Sequence, residues 1–328
     1  MQATKISVIG AGAWGTALAL SFTEEHEVTL LAIDAAEADP LIRQRENVRF
    51  LPGIPLPESL RISHGADGLA EADLVLVVTP VAALREVVTL LGRTAPATPF
   101  LWACKGLEPR TSALAHQVVS EVRGEVTCGV LSGPSFAIEV ARGMPAAVCI
   151  ASANADFARR QAAQLSNQRL RIYASDDLVG VEVSGAVKNV LAIAAGICDG
   201  LGLGHNARAA LLTRGLAEIA RFGMALGARR ETFMGLAGMG DVILTCTGDL
   251  SRNRQVGLAL AKGQSLADIV ASLGHVAEGV HTAAEVVRRA TALQLDMPIA
   301  QAVQAVLDGR IRAGEAVAQL MSRDVKFE

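Results

Sequence analysis

The sequence predicts an α/β protein in which a doubly wound parallel sheet is followed by an all-α C-terminal domain. Short apolar runs alternate with helical segments from residue 6 to about residue 173, as in a parallel sheet covered by helices on both faces. The strand predicted at 74–79 is almost continuously apolar, which burial on both faces requires. After residue 177 only helical periodicity remains. We therefore predict domains at 1–177 and 178–328.

A glycine-rich turn follows the first predicted strand. Residues 6–9 are apolar, Gly10, Gly12 and Gly15 form a G-x-G-x-x-G pattern, and an alanine-rich helix comes next. In this context Gly10 permits a tight turn, Gly12 lets backbone N–H groups approach a pyrophosphate, and Gly15 lets helix and strand pack closely. The helix N-terminus adds N–H donors and a positive dipole end. We predict a Rossmann-like dinucleotide site; the alternative is a glycine-rich turn without a ligand.

The end of the second predicted strand bears on the choice of cofactor. The apolar run 28–33 ends at Asp34, 19 residues after the third glycine of the turn. An acid here usually binds the ribose 2′-OH of NAD, whereas a cation would accommodate the 2′-phosphate of NADP. Ile33 and Asp34 supply no cation, although Arg43 and Arg45 could reach back from a later helix. Asp34 could also be only an exposed helix cap.

Polar residues follow later strands of the first domain as well. Lys105 and residues 132–135 (Ser-Gly-Pro-Ser) each come directly after a predicted strand. Ligands of such sheets bind outside the carboxyl ends of the strands, so we expect these residues to line the cofactor cleft. The proline-punctuated stretch 50–57 is predicted to be a loop.

The second domain carries polar residues that a purely structural bundle would not need. Lys188 leads into a strongly apolar helix, where burial would disfavour its charged form and prepare it for proton transfer to or from a carbonyl or alcohol oxygen. A lysine whose amine reaches water is the alternative. Asp241 ends a glycine-rich turn, where it could cap a helix, bond a substrate hydroxyl or orient Lys188.

Two further polar groups lie downstream. Residues 251–254 read Ser-Arg-Asn-Arg, and this set of forked and single donors suits a phosphate or a carboxylate. A solvated charged turn is the commoner fate of such a cluster. Glu278 stands beside Gly279 and could contact a nicotinamide amide or a ribose, or be merely exposed.

Composition argues against several other classes of protein. The formal net charge is −3, aromatic residues make up 3% of the chain and no basic patch is evident, so nucleic-acid binding has no support. The five cysteines are an odd number without a C-x-x-C pair, which favours buried thiols in a reducing compartment over disulfides or a metal site. With no apolar run of spanning length and no signal peptide ahead of the first strand, we expect a cytoplasmic protein without a membrane span.

In their order along the chain, these motifs resemble those of the bacterial-type NAD(P)-dependent glycerol-3-phosphate dehydrogenases. The motifs that carry the resemblance are Gly-Ala-Gly-Ala-Trp-Gly-Thr-Ala-Leu (10–18), Lys-Gly-Leu-Glu (105–108), Ser-Gly-Pro-Ser-Phe-Ala (132–137), Gly-Ala-Val-Lys-Asn (185–189), Thr-Arg-Gly-Leu-Ala-Glu (213–218), Gly-Asp (240–241), Thr-Cys-Thr (245–247), Ser-Arg-Asn-Arg (251–254) and Glu-Gly (278–279). The resemblance implies reversible reduction of dihydroxyacetone phosphate to sn-glycerol 3-phosphate with NAD(P)H. It also implies a role in phospholipid synthesis and a homodimer.

The resemblance further implies roles for individual residues, with Lys188 as the residue that transfers the proton. The positions that match substrate-binding residues are Lys105, Gly133, Ser135, Lys188, Asp241, Ser251, Arg252 and Asn253. Together with Asp34, the expected cofactor-binding positions are Gly10, Gly12, Ala13, Trp14, Gly15, Phe50, Lys105, Ala137, Arg252, Val276 and Glu278.

The chain departs from the family pattern at two places in the cofactor site. Ala13 stands where the family often has serine, so a side-chain hydrogen bond to phosphate is lost while the backbone N–H remains. Ile33 and Asp34 stand where the family often has histidine or arginine. We therefore expect NAD to be accepted at least as well as NADP.

Two other functions compete with this interpretation. A related β-hydroxyacid dehydrogenase of the same two-domain architecture would equally use Arg252, there for a carboxylate substrate. A non-catalytic nucleotide sensor would need the glycine turn but neither Lys188 nor Asp241, and the presence of both argues against it.

Overall fold

A computed structural model describes residues 3–273 and 277–323 of the chain. The chain forms two compact units. The first contains the residues through Lys105 together with Ala115–Val181, and the second contains Gly106–Leu114 together with the residues from Glu182 onward. The first unit is built on one large sheet and the second is helical, so the predicted fold class is confirmed.

The first unit alternates strands with helices. Its strands are β1 (Lys5–Ile9), β2 (Glu27–Ala32), β3 (Glu46–Asn47), β4 (Leu51–Pro55), β5 (Arg61–His64), β6 (Leu74–Val77), β7 (Phe100–Trp102), β8 (Cys128–Ser132), β9 (Ala146–Ala151) and β10 (Leu170–Ser175). Its helices are α1 (Ala13–Phe22), α2 (Ala35–Gln44), α3 (Leu84–Thr94), α4 (Ala115–Arg123), α5 (Ala137–Ala141) and α6 (Ala155–Leu165).

Strand order places β1 inside the sheet, between β6 and β2. Eight strands pair in the order β10-β9-β8-β7-β6-β1-β2-β5. The pairings are parallel except between β8 and β9, which run antiparallel. Ile9 at the end of β1 is in register with Leu31 of β2 and Val77 of β6. The chain passes from β1 to one side of the sheet and later returns to the other side, and ligands of open α/β sheets bind at such a switch point.

The stretch 50–57, which we predicted to be a loop, contains a strand instead. Residues Leu51–Pro55 form β4, which pairs antiparallel with β3 in a two-stranded ribbon separate from the main sheet. Prolines are tolerated here because a ribbon leaves the outer edge of each strand without ladder partners. Leu51 and Ile54 are buried in a small apolar cluster with Ala17 and Val140, so packing decides the conformation.

The second unit is helical. A long helix, α7 (Leu178–Gly200), begins at the end of the first unit and continues into the second. The helices that follow are α8 (Gly204–Ala225), α9 (Asp241–Thr247), α10 (Arg252–Ala261), α11 (Leu266–Leu273), α12 (Glu278–Ala292), α13 (Pro298–Leu307) and α14 (Ala313–Met321). Between α8 and α9, a 3₁₀ turn covers Arg230–Met234 and a π-helical turn covers Leu236–Gly240.

Helix α7 is the core helix of the second unit. Among the described residues it is the one helix long and apolar enough to cross a membrane, and 89% of its most apolar 18-residue window is buried inside the protein. Its apolar residues are therefore accounted for by packing, as in the core helix of a folded domain.

Two glycines let α7 and α10 cross at backbone contact. A Cβ added at Gly196 of α7 would lie 2.0 Å from the carbonyl oxygen of Arg254, and one added at Gly257 of α10 would lie 2.0 Å from that of Ile193. Any larger residue at either position would force the helices apart. Glycine at these two sites therefore fixes the distance between α7 and α10.

A short segment, Gly106–Leu114, belongs to the second unit although its neighbours in sequence belong to the first. Glu285 of α12 holds it by accepting hydrogen bonds from the Arg110 backbone N–H (3.1 Å) and the Ser112 hydroxyl (2.6 Å). Arg110 and Ser112 adopt the left-handed conformation, with φ of 74° and 56°, which non-glycine residues rarely adopt without such support. The predicted division at residue 177 did not include this segment, because a contact across 173 residues leaves no local signal.

Glu218 of α8 caps another helix of the second unit. Its carboxylate accepts hydrogen bonds from the backbone N–H groups of Ile299 (2.8 Å) and Ala300 (3.4 Å) at the start of α13. The residue is only 5% exposed. Burial raises the pKa of Glu218 to about 7, although the two backbone hydrogen bonds oppose the shift.

We predict that Glu218 makes the stability of the protein depend on pH. The folded state keeps the Glu218 proton up to about pH 7, whereas the unfolded chain loses it near pH 4.5. Because the folded state binds more protons in this window, the free energy of unfolding falls as pH rises through it, by at most about 3 kcal/mol.

Urea unfolding at the two ends of this window provides the measurement. Glu218→Gln should lose this part of the pH dependence, and Glu231→Gln, which changes an exposed acid of the same unit, should retain it. Equal pH slopes in the wild type and Glu218→Gln would contradict the prediction.

Candidate functional site

The glycine turn has the geometry that the sequence predicts for it. Gly10 has a φ of +110°, and a Cβ there would lie 2.7 Å from the carbonyl oxygen of Val78. A Cβ at Gly15 would lie 1.9 Å from the carbonyl oxygen of Gly10, so α1 packs against the turn itself. At Gly12 a Cβ would meet no atom within 4 Å, and this side of the turn is open to a ligand.

The N-terminus of α1 is the candidate phosphate site. Gly12 is its N-cap residue, and no side chain caps the helix. The first intrahelical hydrogen bond runs from the Thr16 N–H to the Gly12 carbonyl (3.0 Å), which leaves the N–H groups of Ala13, Trp14 and Gly15 at the helix end. Uncapped N–H groups and the positive dipole end fit a pyrophosphate.

Asn47 braces the glycine turn, a role that the sequence analysis missed. Its side-chain amide donates to the Ala11 carbonyl (2.8 Å) and to the Thr16 hydroxyl (2.8 Å), and its oxygen accepts from the Phe50 N–H (3.2 Å). It is 2% exposed. Asn47 thus ties the predicted cofactor residue Phe50 to the turn. No local pattern marks a single asparagine for such a role.

Asp34 begins α2 at the end of β2. Its carboxylate accepts a hydrogen bond from the Glu37 N–H (3.0 Å), so it is an exposed N-cap. A carboxylate has room for a further donor, so capping and ribose binding are compatible. Arg45 does not reach this place, because its guanidinium donates to the carbonyls of Leu56 (3.2 Å) and Leu60 (2.9 Å).

Lys105, Gly133 and Ser135 lie together at the carboxyl edge of the sheet. The Lys105 Nζ and the Ser135 hydroxyl both donate to the Gly133 carbonyl, at 3.5 Å and 3.2 Å. Gly133 has a φ of +143°, and a Cβ there would lie 2.9 Å from the Cα of Val148, so only glycine fits. Ala137 is the first residue of α5 and packs on the apolar cluster that Trp14 also contacts.

A buried lysine lies at the centre of the second unit. Lys188 of α7 is 6% exposed, and its Nζ donates to the Asp241 carboxylate and to the Thr245 hydroxyl (2.8 Å). Asp241, the first residue of α9, is 1% exposed. Of the roles predicted for Asp241, the contact with Lys188 is present, and Gly240 rather than Asp241 occupies the N-cap position.

Thr245 is a second contact of Lys188, and the sequence analysis names it only as part of the Thr-Cys-Thr motif, without a role. Its hydroxyl also lies 3.3 Å from the Asp241 carboxylate. Positions 241 and 245 are one helical turn apart and so share a face of α9, a spacing that could have identified it. Next to Thr245, burial raises the pKa of the Cys246 thiol to about 12 despite the opposing charge of Lys188, so the thiol stays protonated.

The Ser-Arg-Asn-Arg cluster forms the start of α10. Ser251 is the N-cap residue and accepts from the Arg254 N–H (3.3 Å). The Arg254 guanidinium is held by ion pairs to Asp199 and Asp249, both at 2.8 Å. Arg252 is exposed and makes no hydrogen bond or ion pair with the part of the chain that the structure describes. Of the two arginines, Arg252 is therefore the one available to an anion.

Helices α7, α10 and α12 meet at Gly279. Its N–H donates to the Asn253 side-chain oxygen (3.0 Å). A Cβ at Gly279 would lie 2.7 Å from the carbonyl oxygen of Asn189, the residue after Lys188. Glu278 is the first residue of α12. The predicted cofactor residue Val276 lies outside the described residues.

No group of three or more His, Cys, Asp or Glu side chains that could hold a metal ion occurs within residues 3–273 and 277–323. The five cysteines are free thiols, four of them buried.

An α/β unit with an open glycine turn and a helical unit with a buried lysine–aspartate pair together define a dehydrogenase of the nicotinamide-dependent class. Two family models match the chain: the N-terminal part of NAD-dependent glycerol-3-phosphate dehydrogenase over residues 5–158 and its C-terminal part over residues 177–318. The chain belongs to this family, and the resemblance seen in the sequence is confirmed.

Individual relatives support the same family assignment. The glycerol-3-phosphate dehydrogenase [NAD(P)+] of Dechloromonas aromatica is 61% identical, covering 99% of both chains. The protein of the same name from Aromatoleum aromaticum is 58% identical, covering 99% of this chain and all of the relative. The crystal structure of glycerol-3-phosphate dehydrogenase from Coxiella burnetii superposes with a TM-score of 0.94 at 40% identity, over 98% of this chain and 99% of that one.

We predict that Asn47→Ala weakens cofactor binding by about 5- to 30-fold, because the loss of the two hydrogen bonds to the turn costs about 1–2 kcal/mol. Titration of the protein with NADH, followed by its fluorescence, gives the dissociation constant. Asn167→Ala is the matched control, since that side chain donates to the Ser21 carbonyl at the opposite end of α1 (2.8 Å). Similar effects of the two substitutions on NADH binding would contradict the role of Asn47.

Proposed function

We propose that the protein reduces dihydroxyacetone phosphate reversibly to sn-glycerol 3-phosphate, with NADH or NADPH as the reductant. The observation that carries this proposal is the second unit's combination of a buried, hydrogen-bonded lysine with an available arginine at a helix N-terminus. The first can move a proton and the second can hold a phosphate. Relatives up to 61% identical carry the name of this activity.

The glycine turn and the N-terminus of α1 would hold the cofactor pyrophosphate, and Asp34 would bind its adenosine ribose. Bound there, the nicotinamide nucleotide supplies a hydride to the ketone carbon of the substrate. We also propose that the backbone at Ala13 and the side chains of Trp14 and Phe50 contact the cofactor.

Lys188 would complete the reduction by moving a proton. As the carbonyl carbon gains a hydride, the N–H bond of the Lys188 ammonium breaks and a new O–H bond forms on the substrate oxygen. In the reverse direction the neutral amine takes that proton back. Asp241 and Thr245 hold the amine in place, and the Asp241 carboxylate offsets the free energy of burying the ammonium.

The start of α10 would bind the phosphate of the substrate. The Arg252 guanidinium is available, the Ser251 hydroxyl can donate while it accepts from Arg254, and the Asn253 amino group can donate while its oxygen accepts from Gly279. The helix N-terminus adds a favourable dipole. Fixing the phosphate positions the reacting carbon. Lys105, Gly133, Ser135 and Asp241 are further proposed substrate contacts, and Ala137, Arg252, Val276 and Glu278 further cofactor contacts.

We further propose that residues 1–177 serve as the nucleotide domain and 178–328 as the substrate domain. The family resemblance also supports a homodimer, a cytoplasmic location and a supply of glycerol 3-phosphate for phospholipid synthesis. Sedimentation of the purified protein would test the dimer.

Lys188→Ala should lower kcat by about 10²–10⁴, because the proposed proton donor is removed. The measurement follows the loss of NADH absorbance with dihydroxyacetone phosphate as the substrate. Lys262→Ala, at an exposed lysine of the same unit, should behave like the wild type. A near-wild-type kcat for Lys188→Ala would refute the assignment. If the wild-type enzyme turned over a small β-hydroxyacid and not dihydroxyacetone phosphate, the alternative dehydrogenase would be favoured.

Arg252→Ala should mainly raise the KM for dihydroxyacetone phosphate, by about 10- to 100-fold, since a charge-assisted hydrogen bond to the phosphate is lost. Steady-state kinetics at saturating NADH separates KM from kcat. Arg230→Ala removes an exposed arginine elsewhere in the second unit and should leave KM unchanged. An unchanged KM in Arg252→Ala would contradict the proposal that the start of α10 binds the phosphate.

NADH should serve at least as well as NADPH, because the end of β2 presents Asp34 and no cation to the ribose. The comparison is kcat/KM for the two cofactors at a saturating substrate concentration. A large preference for NADPH would overturn this expectation.

A further inference from the structure

We infer that Glu37 determines cofactor selectivity together with Asp34: the two carboxylates repel the 2′-phosphate of NADP at the end of β2. The inference rests on the dinucleotide site proposed above and adds to it a residue that the glycine-turn pattern does not mark.

The Glu37 side chain folds back from α2 onto the end of β2. Its carboxylate accepts a hydrogen bond from the Ile33 N–H (2.9 Å), while its own N–H donates to the Asp34 carboxylate (3.0 Å). These two bonds bring both acids to the residues that directly follow β2. In a dinucleotide fold this is where the adenosine ribose binds.

The two arginines that follow in and after α2 do not lie at the end of β2. Arg45 donates to the backbone carbonyls of Leu56 and Leu60. Arg43 lies in the last turn of α2, about 13 Å along the helix axis from Asp34 at 1.5 Å per residue. The neighbouring strand β5 ends at His64 and is followed by another acid, Asp67, which accepts from the Ser63 hydroxyl (3.0 Å).

The two cofactors meet these acids differently. The 2′-hydroxyl of NAD can donate a hydrogen bond to a carboxylate. The 2′-phosphate of NADP brings close to two negative charges, which the two carboxylates repel. Glu37 is half-buried, so water screens its charge less than it screens a fully exposed one.

Glu37 also has a structural role, because its carboxylate ties the first turn of α2 to the end of β2, and the test must separate the two roles. Glu37→Gln keeps an oxygen that accepts from the Ile33 N–H and removes only the charge. Asp39→Asn removes an equal charge from the same helix at an exposed position and serves as the matched control.

The experiment measures dissociation constants of NADH and NADPH by fluorescence titration of the whole protein without substrate. Glu37→Gln should lower the ratio of the NADPH constant to the NADH constant by about 3- to 10-fold, from the loss of one nearby charge. Asp39→Asn should leave the ratio unchanged. An unchanged ratio in Glu37→Gln, or an equal fall in both variants, overturns the inference.

A second measurement uses only the wild-type protein. In the wild type, the same ratio should fall as salt rises from about 20 to about 300 mM, because screening weakens the repulsion of the phosphate. A ratio that is independent of salt overturns the inference. Neither titration contains dihydroxyacetone phosphate. The inference about Glu37 can therefore be confirmed even if the protein does not reduce that substrate, and it can be refuted even if the protein does.

Discussion

The backbone contact between α7 and α10 is the constraint on which the second unit depends. Gly196 and Gly257 allow carbonyl oxygens of the opposite helices to approach to a distance that excludes any Cβ. Close-packed backbones cannot slide by a fraction of a turn, because ridges and carbonyls interlock. The contact lies about two turns after Lys188 and a little over one turn after Arg252. It therefore sets the separation of the two residues that carry the proposed chemistry.

The presence of the buried Lys188–Asp241 pair is easier to explain by its proposed role in the reaction than by a contribution to stability. Both side chains are more than nine-tenths buried. Desolvating two charges commonly offsets their attraction, so a buried pair contributes little to stability compared with apolar residues of similar size. An amine held by Asp241 and Thr245 in an apolar helix instead suits a group whose position and protonation matter.

Patterns of neighbouring residues were enough to predict the elements that have a local sequence signature. The glycine turn, the strand–helix alternation of the first unit and the apolar helix around Lys188 each follow from a few consecutive residues. Asn47, Glu285 and Glu218 could not be predicted, because their partners lie 31 or more residues away for their main contacts. β4 was missed because two prolines in five residues argue against a strand, and only the burial of Leu51 and Ile54 overrides them.

The N-termini of the helices show how one electrostatic rule can give opposite results. At α1 the N-cap is a glycine with no side chain to offer, so the N–H groups are left for an anionic ligand. At α10 Ser251 caps one N–H, and Arg252 adds a positive charge beside the helix end, which again favours an anion. At α2 the Asp34 carboxylate caps the Glu37 N–H, and the Glu37 carboxylate lies against the Ile33 N–H just before the helix. An additional phosphate there would meet the negative charges of these two carboxylates. The identity of the capping residue thus decides whether a helix N-terminus attracts a phosphate or rejects it.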